Sequence, residues 1–220
     1  GFGGIPIQRI DAEGTKALMH KLLENGVNYI DTARGYPVSE EYLGVGLEGI
    51  REHFVLATKS MSRTAEAMAK DIDISLKNLR TDYIDLYQIH NAPPADLEKV
   101  CAPGGALEAL TAAKTAGKIG HIGITAHSLE TFRMALELPW VETVMFPYNI
   151  VEDQAKELIH ACAEKNIGFI AMKPLAGGAI EDAVTALRYV CANPDVTVVL
   201  PGMADIAELN QNLAAVNDSS

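Results

Sequence analysis

Short β-branched runs alternate along this chain with longer stretches in which apolar residues recur every three or four positions. Runs at 2–7, 27–31, 53–58, 83–90, 121–125, 143–146, 168–172 and 196–200 read as strands. They are largely non-alternating, as expected for parallel strands buried on both faces. A helical pattern follows each, at 12–24, 40–49, 65–79, 106–116, 129–138, 153–165, 180–192 and 206–216. Ser128 and Asp205 stand where helix N-caps belong, while Gly26, Gly117 and Asn166 stand where helices should end. Eight βα units in 220 residues predict a (β/α)8 TIM barrel in a single domain spanning 1–220. A doubly wound open sheet is the weaker alternative, because no GxGxxG turn follows the first strand.

That alternation places Asp31, Lys59 and His90 at or just past the ends of successive strands, with Tyr36 in the loop after Asp31. In a parallel barrel such positions converge on one mouth. Singly, each has an ordinary explanation: a loop Asp that caps a helix, a loop aromatic, a lysine reaching solvent, a core histidine. Together they are harder to dismiss. A lysine ending an apolar strand needs a partner to offset its desolvation, and Asp31 on the adjacent strand is the obvious one. An ammonium near a phenol lowers the phenol's pKa, so Tyr36 is expected to donate a proton near neutral pH. His90 would orient a carbonyl oxygen through a hydrogen bond. The small-residue loops Leu175-Ala176-Gly177-Gly178 and Pro201-Gly202-Met203 follow strands seven and eight, where backbone amides can face a phosphate. The competing reading of those glycines is simply tight turns.

Composition narrows the classes. The net charge is −11, from 18 basic and 29 acidic residues, which argues against nucleic acid or an anionic membrane as partner. No apolar run approaches the roughly 20 residues that span a bilayer. Hydrophobic residues make up 48% of the chain and mean hydropathy is +0.08, enough for a well-filled core. Cys101, Cys162 and Cys191 match no metal or redox spacing and read as reduced thiols of a cytoplasmic protein. No export segment opens the chain, and a strand-like stretch beginning at Gly1 suggests a trimmed or incompletely represented chain. No pattern speaks to oligomeric state.

The chain resembles the aldo-keto reductases over essentially its whole length. The resemblance rests on GFGG at 1–4, GVNYIDTARGY with SE at 26–40, FVLATK at 54–59 and TDYIDLYQIH at 81–90. It continues through GKIGHIGIT at 117–125, FPYN at 146–149, PLAGG at 174–178 and LPGM at 200–203. The family's Asp, Tyr, Lys and His then fall on Asp31, Tyr36, Lys59 and His90, in order. The resemblance implies reduction of a small-molecule aldehyde or ketone by direct hydride transfer from NADPH or NADH, with Tyr36 supplying the proton. It also implies departures. Positions that commonly hold the nicotinamide carboxamide are here Thr125, Ala126 and Met145, so only Thr125 keeps a polar group. Met172, followed by Lys173, replaces the aromatic that often stacks on the ring. Around the adenosine 2′-phosphate stand Gly202, Met203 and Glu208 with Asp205 nearby, while Gln211 and Asn212 align with adenine contacts. Two carboxylates there imply weakened selectivity for NADPH.

A microbial subgroup shares ITxHS and MKPLAGG, here 124–128 and 172–178, and some of its members carry a ferredoxin-like iron–sulfur tail. Neither such a tail nor the usual N-terminal hairpin and long pocket-forming C-terminal segment is expected from these residues. His127 is read either as a substrate contact or as a helix-start residue, and Arg34 either as an attractor of anionic substrate or as a partner for Glu40. Two other functions compete with reduction: a nicotinamide-binding sensor or module of a redox assembly, and a lyase or isomerase using Lys59 as a Schiff-base amine.

Overall fold

Pro6 ends the first strand early. Residues 2–7 carry a strand-like apolar pattern, yet a computed structural model, which describes residues 1–217, confines β1 to Phe2–Gly3. Pro6, which lacks an N–H to donate, sits instead in the first turn of a 3₁₀ helix at Ile5–Arg9. The other strands are β2 Tyr29–Asp31, β3 Val55–Ser60, β4 Ile84–Ile89, β5 Ile119–Thr125, β6 Thr143–Pro147, β7 Gly168–Met172 and β8 Val198–Leu200. All pair in parallel and in sequence order. A parallel bridge from Gly3 to Gly202 joins the first and last edges, with Gly3 N–H donating to Pro201 O at 3.0 Å. The architecture is the (β/α)8 barrel.

The helices are α1 Ala12–Glu24, α2 Ser39–Gly46, α3 Ala65–Asn78, α4 Pro94–Cys101, α5 Ala106–Thr115, α6 Leu129–Leu136, α7 Lys156–Glu164, α8 Ala183–Cys191 and α9 Ile206–Asn217. One of them, α4, has no counterpart in the periodicity reading. Pro93 and Pro94 suggest a loop, but Pro94 occupies the first helical turn and Leu97 and Val100 bury one face. The expected caps are present: Ser128 Oγ accepts from Thr131 N–H at 3.2 Å, and Asp205 Oδ1 accepts from Glu208 N–H at 2.8 Å. Gly26, Gly117 and Asn166 all adopt the left-handed conformation that ends a helix. The C-terminal residues 218–220 lie outside the described part of the chain.

Side chains alternate across each strand, so the barrel has two cores. The larger lies between the outer strand face and the helices, and includes Phe2, Ile30, Leu56, Tyr87, Phe132, Phe146 and Phe169. The smaller fills the interior with Tyr29, Ala57, Leu86, Met145, Ile170 and Leu200. Directly above this apolar layer, toward the C-terminal mouth, strands β2, β3 and β4 place Asp31, Lys59 and Gln88. Among the described residues no helix is long and apolar enough to cross a membrane.

Candidate active site

The polar layer is built on a buried ion pair. Lys59 and Asp31 are 2% and 4% exposed and bond directly to each other; Lys59 Nζ also donates to Thr32 O at 2.8 Å. Gln88 Nε2 donates to the other Asp31 oxygen at 3.2 Å. Burial pushes the Asp31 carboxyl above its ordinary range, against the pull of the ammonium and of Gln88. Gln88 is a member of the site that the motifs do not single out. The available signal is its parity: it shares the inward face of β4 with Leu86 while its neighbours Tyr87 and Ile89 face the outer core.

Tyr36 and His90 complete the quartet from loop and strand end. Lys59 Nζ lies 5.0 Å from the centre of the Tyr36 ring, and the His90 ring stands edge-on to it at 6.2 Å. The backbone N–H of His90 donates to Ser60 O at 2.9 Å, continuing the β3–β4 ladder by one residue. Burial lowers the His90 imidazole to about 4, helped by Lys59, Arg63 and His127, so the ring is neutral at physiological pH. Its buried Nδ1 has no hydrogen-bond partner. The expected depression of the Tyr36 pKa is overturned. Burial outweighs the Lys59 ammonium, and Asp31 adds to it, so the phenol is raised above its ordinary value and held protonated.

The four residues line a cavity of about 550 Å³ that runs on past Thr125, Met172, Lys173, Leu175, Gly177, Gly202, Gln211 and Asn212. His127 and Met145 also contribute, and the cavity reaches Gly3, Gly4, Pro6 and Arg9 after β1. His127 Nδ1 is paired with Asn91 Oδ1 at 2.9 Å. Thr125 Oγ1 accepts from Asn91 N–H at 2.8 Å, and the residue lines the cavity. Ala126 is fully buried and absent from the wall. Met203 is likewise not brought there. It is 2% exposed, packs in the outer core, and sits beside Asn212 Nδ2 at 4.0 Å.

The β7 loop is shaped by backbone rather than side chains. Lys173, Ala176, Gly177 and Gly178 all have positive φ, from 49° to 95°. Buried Asn149 fixes the first of these by donating from Nδ2 to Lys173 O at 3.0 Å. A Cβ at Gly177 or Gly178 would meet no atom within 4 Å, so the demand for glycine there is conformational. Contrary to the expectation of bare amides, those of Ala176 and Gly178 already bond Lys173 O and Leu175 O. The start of α9 is also engaged by its own acids: Asp205 caps Glu208 N–H, and Glu208 Oε2 accepts from Ala204 N–H at 2.7 Å. Glu208 is in turn gripped by Arg9 Nη2 at 3.0 and 2.9 Å. The expected pair of repelling carboxylates is therefore partly neutralised, by an arginine almost two hundred positions away that no local motif connects to it.

A parallel barrel thus carries Asp31, Tyr36, Lys59 and His90 together at its mouth, on the wall of one cavity that extends to the loops after β7 and β8. The chain belongs to the Aldo/keto reductase family, whose sequence pattern matches residues 1–186. It is 26% identical to the L-galactose dehydrogenase of Arabidopsis thaliana, over 99% of this chain and 84% of that one. It is 34% identical to the aldo-keto reductase YhdN of Bacillus subtilis, over 75% of this chain and 53% of that one. The holo form of aldo-keto reductase AKR11C1 from Bacillus halodurans superposes with a TM-score of 0.86 at 25% identity, covering 100% of this chain and 86% of that one. The protein is an NAD(P)H-dependent oxidoreductase.

Proposed function

We propose that the protein reduces an aldehyde or ketone to the corresponding alcohol, with Tyr36 as proton donor. One observation carries the reading: a protonated, partly buried phenol lies 5.0 Å from the Lys59 ammonium and beside the neutral His90 ring, on the wall of the cavity that extends to the β7 and β8 loops. NAD(P)H, when bound, supplies the hydride. Thr125 would meet the carboxamide, Met172 would cover a ring face with its adaptable thioether, and Lys173, Leu175, Gly177 and Gly202 would line the path of the pyrophosphate. Gln211 and Asn212 would border the adenine.

The chain's own residues do the rest. His90 donates a hydrogen bond to the carbonyl oxygen, which polarises it. Tyr36 gives its proton to that oxygen as negative charge develops, and Lys59 stabilises the phenolate left behind. Asp31 holds Lys59 in place through their direct bond. The phenol's raised pKa keeps the proton on Tyr36 at neutral pH, so the proton is present to be given.

Tyr36→Phe tests the assignment, with 4-nitrobenzaldehyde as carbonyl probe. Turnover should fall on the order of 10³-fold while NADPH affinity stays within about twofold, since the interaction belongs to the transition state. Unaltered turnover would remove Tyr36 from the mechanism. A Schiff-base role for Lys59 is opposed by its pairing with Asp31 and Thr32 O, which engages the amine nitrogen inside the barrel. For the cofactor, the Glu208 carboxylate supports a preference for NADPH over NADH of less than about tenfold. A larger preference in parallel titrations would refute it.

A further inference from the structure

The turn carrying Tyr36 is fastened from outside the barrel. Thr58 and Ser60 flank Lys59 on β3, so strand alternation turns them outward while Lys59 points in. Thr58 Oγ1 donates to Glu40 Oε1 at 2.8 Å, and Ser60 Oγ donates to Asp71 Oδ2. Arg34, two residues before Tyr36, joins the two carboxylates. Its Nη1 donates to Glu40 Oε2 at 2.9 Å, and its Nε makes an ion-pair contact with Asp71 Oδ1 at 3.5 Å, without hydrogen-bond alignment. Its backbone N–H donates to Lys59 O at 2.9 Å.

Both acids are held by further donors. Ser75 Oγ and Asn78 Nδ2, from α3, donate to Glu40 at 2.7 and 3.3 Å, and Ser62 Oγ donates to Asp71 at 2.7 Å. Glu40 is 2% exposed. A buried carboxylate that collects four donors is a costly way to pack a helix, since apolar residues of similar volume often serve stability as well or better. What it provides is geometry: the guanidinium clasps the two acids whose hydroxyl partners stand on either side of Lys59. None of Arg34, Glu40 and Asp71 lines the cavity.

We propose that Arg34 is a positioning residue: clamped by Glu40 and Asp71, it holds the Tyr36 turn in register with Lys59 and so sets the approach of phenol to ammonium. The proposal rests on the reading of Tyr36 as proton donor, but its test does not require turnover. Arg34→Leu and Arg34→Lys are made in protein carrying ¹³Cζ-labelled tyrosine, and the Tyr36 phenol is titrated by NMR. The groups facing that phenol are Lys59 and Asp31 in the barrel and the His90 ring.

In Arg34→Leu the Tyr36 midpoint should move by more than about half a unit toward 10, because burial is the larger influence on it. In Arg34→Lys it should stay nearer the parent value. Turnover of 4-nitrobenzaldehyde should drop by about tenfold or more in Arg34→Leu, with NADPH affinity changed less than about twofold. A parent-like Tyr36 titration in folded Arg34→Leu overturns the proposal whatever the activity. If that variant does not fold, Glu40→Gln, which keeps the volume and removes the charge, should shift Tyr36 in the same direction, and an unshifted midpoint there overturns it equally. A parent protein inert toward carbonyls would count against the proposed function, while the titration would still decide the role of Arg34.

Discussion

On the β2–β4 side of the cavity, Asp31 and Lys59 are bonded to each other and to groups from neighbouring strands, and both are almost fully buried. On the β7–β8 side the wall is made of left-handed backbone, three glycines, and exposed Lys173 and Gln211. The first side positions charge through side chains; the second shapes a groove through φ angles. Substitutions on the first should therefore change rate and stability, and those on the second should change cofactor binding alone.

The largest break in that contrast is expected from Lys59→Met. It strands the buried Asp31, which should cost about 3–5 kcal/mol in denaturant unfolding and reduce turnover on the order of 10³-fold. Adding Asp31→Asn should restore much of the stability and none of the activity. Recovery of both together would show that the pair serves packing only.

The pH response comes next. His90 titrates near 4 in the folded chain and near 6.5 when unfolded, so the unfolded state binds more protons between those values. Its contribution to stability is complete above about 6.5 and declines as pH falls toward 4. The raised Asp31 carboxyl slopes the opposite way, so the informative quantity is the difference in melting temperature between parent and His90→Gln at each pH. Parallel profiles from pH 7 to 4 would contradict a buried neutral imidazole.

On the groove side the effects are smaller. Gly178 has a φ of 95°, where a β-branched side chain is strained even in open space. Gly178→Val should weaken NADPH binding about tenfold in a fluorescence titration, with turnover at saturating cofactor nearly unchanged. A proportional fall in saturated turnover would erase the distinction between the two sides. The smallest change is expected from Glu208→Gln, which frees Arg9 and should shift the NADPH-to-NADH affinity ratio about threefold toward NADPH, in keeping with the modest strength of exposed pairs.

The barrel and the quartet are legible in the sequence because both are periodic: polar residues ending apolar runs at one repeat distance mark one mouth. The finer supports are not. Gln88 can be recognised only by knowing which parity of β4 faces inward, and the α4 helix hides behind two prolines. The Arg34, Glu40 and Asp71 clasp joins a loop and two helices through the outer face of β3, which no local pattern encodes. Met203 is misleading for a related reason. A small-residue loop signals a turn, but not which of its side chains turns back into the core. The direction of the Tyr36 shift also needs the fold, because it depends on how much water burial removes.

The short seam between β1 and the loop after β8 has a consequence for how the molecule assembles. Its first strand has two residues and its last has three, and a bridge at Gly3 and Gly202 marks where the circle closes. Joining these edges encloses nearly the whole chain, so its loop entropy is incurred late and weakly offset. Amide exchange at Gly3 should then be among the fastest within the sheet, reporting sub-global opening rather than complete unfolding. The same glycines line the cavity proposed to take the cofactor. A nucleotide seated across them would act as a staple between the first and last strands.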